Sequence, residues 1–277
     1  MDITTVTSYR AARTREDLTL APGEVVMAGG TWLMSEPQPR TTGFVDLTTL
    51  GWADVEITET GLRIGATCTI ARLLAWVERE APAEWTSLAL ARPSAEALLA
   101  SFKIWNTATV GGNVCQAFAA GAMIAFLSTL DATAEVWTPD GGERRIAVAD
   151  LVIDNAATSL APGEVLRALE IPRAVLSSHV GLQKIALAEL GRSGAVVTAR
   201  LDPDGSSVFV VTAAVRRPRV LRFARVPGAG ELRDAVASAT DFYTDPLGSA
   251  DWRRGVSVVL AERLRAGFAR ASHEGAA

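Results

Sequence analysis

Two short stretches, "AGGT" at Ala28 to Thr31 and "TVGGN" at Thr109 to Asn113, set adjacent glycines after apolar residues and close on a small polar side chain. Glycine has no Cβ, so such a backbone can turn with positive φ, pack tightly against a neighbour, or bring several N–H groups close to a ligand. Convergent N–H groups stabilise an anion such as phosphate, and threonine and asparagine add donors without a competing negative charge. A plain turn, a close packing contact and a phosphate loop are thus three open readings of each stretch. Two loops about eighty residues apart have the composition to embrace a pyrophosphate from both sides.

Few other residues offer chemistry. Two cysteines, Cys68 and Cys115, cannot by themselves hold a four-cysteine iron–sulfur cluster or a conventional structural zinc ion. The two histidines are too few for a multi-histidine metal site and leave a Ser/His/Asp triad little to draw on. His179 follows "VLSS" in a predicted loop and His273 lies in the tail "RASHEGAA", both as solvated residues. Any metal redox centre working with this chain therefore belongs on another chain. At 277 residues, 49% hydrophobic and 21% charged, the chain is globular in composition and long enough for two domains. Its net charge of −4, with both signs interspersed, offers no basic face to nucleic acid or membrane. The opening "MDITTVTSYRAARTRED" lacks a secretory pattern, and no apolar run approaches the roughly 20 residues that span a bilayer, so a cytoplasmic location is expected.

The glycine stretches need elements on either side to hold them. "EVVMAGGTWLMSEPQPR" predicts a strand at 25–27, a glycine loop, then a helix start stopped by Pro37 and Pro39. "TTGFVDLTTL" predicts a strand ending at Asp46 and Leu47, and "ADVEITETGLRIGATCTI" a hairpin with strands at 55–58 and 62–66. Helical spacing follows in "IARLLAWVERE" and in "PSAEALLASFKI", where Ser94 is the expected N-cap. After the second glycine stretch come an apolar helix, "AMIAFLSTLDA", a hairpin turning at "PDGG", and a strand in "APGEVLRALEIP" closed by Pro172. Beyond that boundary, "GLQKIAL", "GAVVTARLDPDGSSVFVVTAAV" and "RPRVLRFARV" predict an antiparallel meander. Two helices finish the chain, the second with Trp252, Val256, Val259, Leu260, Leu264 and Phe268 as an apolar stripe for the core. Strands and helices alternate irregularly and G-x-G-x-x-G is absent, which argues against a Rossmann domain.

In order and spacing, "VMAGGTWLM", "GFVDLTTL", "GLRIGATCTIARLL", "FKIWNTATVGGNVCQAFAAGAMIAFLSTLDATAEVW" and "EVLRALEIP" resemble the FAD-binding medium subunit of the molybdenum hydroxylases, the xanthine dehydrogenase and carbon monoxide dehydrogenase family. The meander and "DWRRGVSVVLAERL" are similar to that family's flavoprotein C-terminal domain. The resemblance implies an α+β fold: a PCMH-type FAD-binding domain of two subdomains at 1–172, then a C-terminal domain at 173–277 of antiparallel sheet with helices. It implies that Ala28, Gly29, Gly30, Thr31, Trp32 and Leu33 form a first FAD loop and Thr109, Val110, Gly111, Gly112 and Asn113 a second. Leu166 then packs near the flavin, and Lys184 approaches it. The implied role is electron relay, with a molybdenum-cofactor large subunit and a [2Fe–2S] small subunit as partners and NAD+ or oxygen as acceptor. No residue here is assigned a proton-transfer role. The sequence also departs from the family. Ala119 and Ala122 replace a common Pro-x-x-Asp, and Trp105 stands where an arginine often precedes the asparagine. Asp46 matches a family aspartate and equally suits a strand-end cap. A free-standing FAD oxidoreductase and a flavin-free interaction subunit are the alternatives.

Overall fold

The computed structural model describes residues 3–97, 100–188 and 191–274, with side chains to residue 270. The N-terminal lobe is a parallel sheet in which β3 (Gly43–Asp46) runs between β1 (Ser8–Ala11) and β2 (Glu24–Met27). A central strand covered on both faces should be buried throughout, and all four residues of β3 are. The first glycine stretch lies in the crossover from β2 to β3. Residues 31–35 form turns there instead of the expected helix start, because Pro37 and Pro39 follow before a helix can establish itself.

The second lobe is an antiparallel sheet of β4 (Val55–Thr58), β5 (Gly61–Gly65), β6 (Thr133–Trp137), β7 (Glu143–Ala147) and β10 (Val165–Pro172), ordered β4-β5-β10-β6-β7. Its strands alternate with period two. Leu62, Ile64, Ala134, Val136, Leu169 and Ile171 face the main core, while Arg63 between them faces outward and pairs with Glu56 (2.9 Å) and Glu135 (2.7 Å). Six helices belong to this lobe: α1 (Ile70–Arg79), α2 (Ala91–Ala97), α3 (Phe102–Trp105), α4 (Val110–Gln116), α5 (Ala122–Thr129) and α6 (Val148–Leu151). A ribbon of β8 (Val152–Asp154) and β9 (Ala157–Thr158) completes it. Ser94 does not cap a helix. It lies inside α2, fully buried, because a 3-10 turn at Thr86–Leu90 feeds straight into α2 and carries Pro93 into its first turn.

The third sheet is a meander of β11 (His179–Ile185), β12 (Ala195–Leu201), β13 (Ser207–Thr212) and β14 (Arg219–Phe223). The apolar residues of α7 (Ala229–Ala237) and α8 (Ala250–Glu274) share a core with one of its faces. The wholly buried α5 packs on the other, which explains why β12 and β13 are buried along their full length. Buried Arg200 fastens this sheet to the second lobe, donating to the Thr129 carbonyl (2.6 Å) and to Asp131 (2.8 Å) and Asp202 (2.7 Å). Two expectations change here. Val259 of the α8 stripe is 50% exposed, since Leu260, Ala261, Leu264 and Phe268 already cover the sheet. His179 opens β11 instead of lying in a loop, and it is exposed as expected.

Candidate functional site

Between the N-terminal and second lobes lies a cavity of about 470 Å³. One wall is the crossover loop, residues 28–33 with Ser35. The other is Ala66, Ile104, Ala108 and the start of α4, and Val165 and Leu166 of β10 close its side. It therefore gathers Ala28, Gly29, Gly30, Thr31, Trp32, Leu33, Thr109, Gly111, Gly112, Asn113 and Leu166 from three distant parts of the sequence. Val110 and Lys184 are not brought to it. Val110 points into the main core, and Lys184 is exposed on β11 with Nζ donating to the Glu96 carbonyl (3.0 Å).

The two glycine loops are built differently. In the first, Gly30 has φ +65°, a left-handed turn that glycine adopts at no steric cost. Gly29 lies so close to the Thr107 carbonyl that any Cβ would overlap it. Among the described residues, no acceptor is found for the backbone N–H groups of Gly29, Gly30, Thr31, Trp32 and Leu33, nor any partner for the Thr31 hydroxyl. This is an open set of donors on a cavity wall.

In the second, Thr109 is the N-cap of α4, its hydroxyl accepting from the Gly112 N–H (3.0 Å) and its carbonyl from Asn113 (2.9 Å). The N–H groups of Val110 and Gly111 donate to the carbonyls of Cys68 (2.8 Å) and Ala66 (3.0 Å). Every amide from 110 to 113 is thus committed within the protein. A Cβ on Gly111 would stand 2.5 Å from the Ala66 Cβ, so that glycine serves close packing. What this loop offers the cavity is a side chain. The Asn113 Oδ1 accepts from the Met123 N–H (2.9 Å), which leaves its Nδ2 donors without an acceptor among the described residues.

No lysine, arginine or histidine lines the cavity among the described residues, and its one carboxylate is already neutralised. Glu164 receives Nε and Nη2 of Arg144, each at 2.7 Å, and the Ala161 N–H at 2.8 Å. The Arg144 pairing holds its pKa below the usual carboxylate range despite burial. Cys115 also lines the cavity, but burial pushes its thiol up to about 12, so it remains a protonated, unreactive wall residue. An anion here would meet N–H and O–H donors with no opposing negative charge. The amide set and the Asn113 donors suit a pyrophosphate, and the apolar flanks of Val26, Leu33, Ile104, Leu160, Val165 and Leu166 suit the rest of a dinucleotide.

Several wall residues carry no sequence signal. Phe118 sits in an alanine-rich run, and Ile104, Leu160 and Glu164 are distinguished only by where the chain brings them. Leu166 is a core strand residue at a bulge in β10 and also lines the cavity. Asp46 is a strand-end cap: it accepts from the Thr48 N–H (2.8 Å) and hydroxyl (2.7 Å) and from the Tyr9 hydroxyl (2.5 Å). Ala122 is buried in the main core, and the Ala119 N–H is satisfied by Asn155 Oδ1 (2.9 Å). Trp105 packs against the same core, and its buried indole N–H has no partner among the described residues.

The sequence profile for the FAD binding domain in molybdopterin dehydrogenase matches residues 5–174, so this chain belongs to that family of flavoprotein components of molybdenum-containing oxidoreductases. The fold is shared with solved structures along nearly its whole length. Against quinoline 2-oxidoreductase from Pseudomonas putida 86 the TM-score is 0.82 at 21% identity, covering 98% of this chain and 99% of the other. Against reconstituted CO dehydrogenase from Oligotropha carboxidovorans it is 0.80 at 21% identity, covering 95% and 97%. A carbon monoxide dehydrogenase from Hydrogenophaga pseudoflava gives 0.81 at 17% identity, covering 98% and 99%. No curated protein sequence matches the chain. Among the described residues no helix is long and apolar enough to cross a membrane.

Proposed function

We propose that this chain is the FAD-carrying electron-transfer subunit of a cytoplasmic molybdenum hydroxylase. In this reading it stands between the [2Fe–2S] clusters of a small partner and an acceptor, NAD+ or oxygen, while a large partner with molybdenum cofactor selects and hydroxylates the substrate. The observation that carries the reading is the set of N–H groups from Gly29 to Leu33, uncommitted among the described residues, on one wall of a cavity that Asn113 lines from the other side. Those amides and the Thr31 hydroxyl would hold the pyrophosphate. Asn113 would donate from the opposite side, and Leu166 with Val165 would pack on the apolar part of the ligand. Lys184 stands outside this set. When bound, FAD supplies a redox-active ring, and the protein supplies its orientation and exclusion of water. Within the chain, residues 1–172 form the FAD-binding part and 173–277 a supporting domain.

The test is to purify the chain with any co-expressed partners, desalt it, record its visible spectrum and identify the molecule released on denaturation. Released FAD, together with a molybdenum chain and an iron–sulfur chain in the purified complex, supports the proposal. A colourless complex that takes up no added FAD overturns it in favour of a structural subunit. A flavin-loaded chain that never associates with partners moves it to a free-standing oxidoreductase.

A further inference from the structure

The cavity wall carries an aromatic pair, one ring from the first loop and one from outside both glycine stretches. Trp32 follows Thr31 in the N-terminal lobe, and Phe118 lies just after α4 in the second lobe. Their rings meet edge to face, 4.7 Å between centroids at 67°, and both line the cavity. Trp32 nevertheless leaves 40% of its surface exposed, so the indole gains little from core burial. Phe118 is half-buried and stands on a segment fixed at both ends. The Ala117 carbonyl accepts from Ala156 (2.9 Å), and the Ala119 carbonyl accepts from Ala213 (2.6 Å). The Trp32 loop is held through its carbonyls, which accept from Met34, Ser35 and Glu36, while its own N–H groups from 29 to 33 find no acceptor among the described residues. One ring therefore stands on a segment tied to distant parts of the fold, and the other on a loop whose hydrogen bonds among the described residues run within itself.

We propose that Trp32 and Phe118 form an aromatic clasp on the cavity wall that joins the two lobes and retains the bound dinucleotide. The clasp rests on the FAD reading above. The ring contact is already formed in this structure, ties the loop that carries the amides to the second lobe, and so opposes release. An edge-to-face pair of this kind slows dissociation by up to about tenfold, with little effect on association. Trp32 and Phe118 are positioning residues here and take no part in electron chemistry.

The experiment is a double-mutant cycle on the rate of FAD release from the FAD-loaded protein, measured in the presence of excess apo-glucose oxidase as an FAD-specific trap. The variants are Trp32→Ala, Phe118→Ala and both together, with Trp32→Phe as the conservative variant and thermal unfolding of each apoprotein as control. Faster release in each single variant, no further acceleration in the double, retention in Trp32→Phe and unchanged apoprotein unfolding are the expected results. Release at the wild-type rate in Trp32→Ala or Phe118→Ala overturns the clasp and leaves the FAD assignment standing. So do independent effects that multiply in the double variant, or loss of apoprotein stability that accounts for the faster release. Wild-type protein that binds no FAD removes the proposed function and the clasp with it.

Discussion

At the first glycine loop, the N–H groups of Gly29 to Leu33 are used by no other described residue, whereas at the second those of Val110 to Asn113 are all taken by Cys68, Ala66 and Thr109. Both stretches need a glycine for close packing, Gly29 against the Thr107 carbonyl and Gly111 against Ala66, and they differ in what becomes of their N–H groups. Loop one leaves a strand into a crossover with no neighbouring strand to pair with, so its donors stay open. Loop two is a capped helix start stitched onto the chain just after β5, where Thr69 and Thr109 form an antiparallel bridge. Adjacent glycines thus announce crowding of the backbone, and only the surrounding segments decide whether its N–H groups are committed within the protein or left open.

The sharpest way to break this comparison is Gly111→Asp. If Gly111 serves packing against Ala66, the substitution overlaps backbone and buries a charge, and it should destabilise the fold by about 3 kcal/mol or more in urea unfolding. Wild-type stability with loss of FAD would instead make loop two the anion cradle. Thr31→Asp is the reciprocal probe. Its side chain is half-buried and unpartnered, so the fold should survive while the added carboxylate weakens FAD binding at least about tenfold in equilibrium titration. Affinity equal to wild type would remove loop one from the site. Thr109→Ala should cost about 1 kcal/mol of stability through loss of the N-cap, with a smaller change in FAD affinity than Thr31→Asp.

The smallest effect is the pH response. Glu24, at the start of β2, is held down to about 2 by its hydrogen bonds from Arg10, and Glu164 lies below the usual carboxylate range through Arg144. Both folded-state values are depressed, so each pair contributes fully above the unfolded carboxylate pKa of about 4.3 and is lost as pH falls through the folded value. Stability should therefore decline below about pH 4 and continue to decline towards pH 2. The Glu24→Gln variant should flatten the lowest part of that profile in thermal unfolding. A profile unchanged by the substitution would mean that Arg10 and Glu24 are screened by solvent and contribute nothing measurable.

Much of the architecture was legible from local pattern. Alternation in "GLRIG" and "TAEVW" marked half-covered strands, and the fully apolar α5 marked a helix buried on all sides, because each periodicity reflects how many faces an element hides. Ser94 and Val259 show the limit. A capping signal loses to a preceding 3-10 turn, and an apolar residue is left in solvent once the opposing sheet is covered. At the site, the types of residue in both glycine stretches were readable.

By itself, then, the sequence determined that two backbone segments would be bare and that small polar side chains would follow them. It did so because glycine and threonine constrain the backbone and its hydrogen bonding locally. Only the tertiary structure decided that one loop is open and the other self-satisfied, that Lys184 faces away, and that Phe118 meets Trp32 at the cavity wall. Those outcomes depend on which distant carbonyl, ring or strand end arrives beside each residue, and such long-range neighbours leave no mark on local sequence.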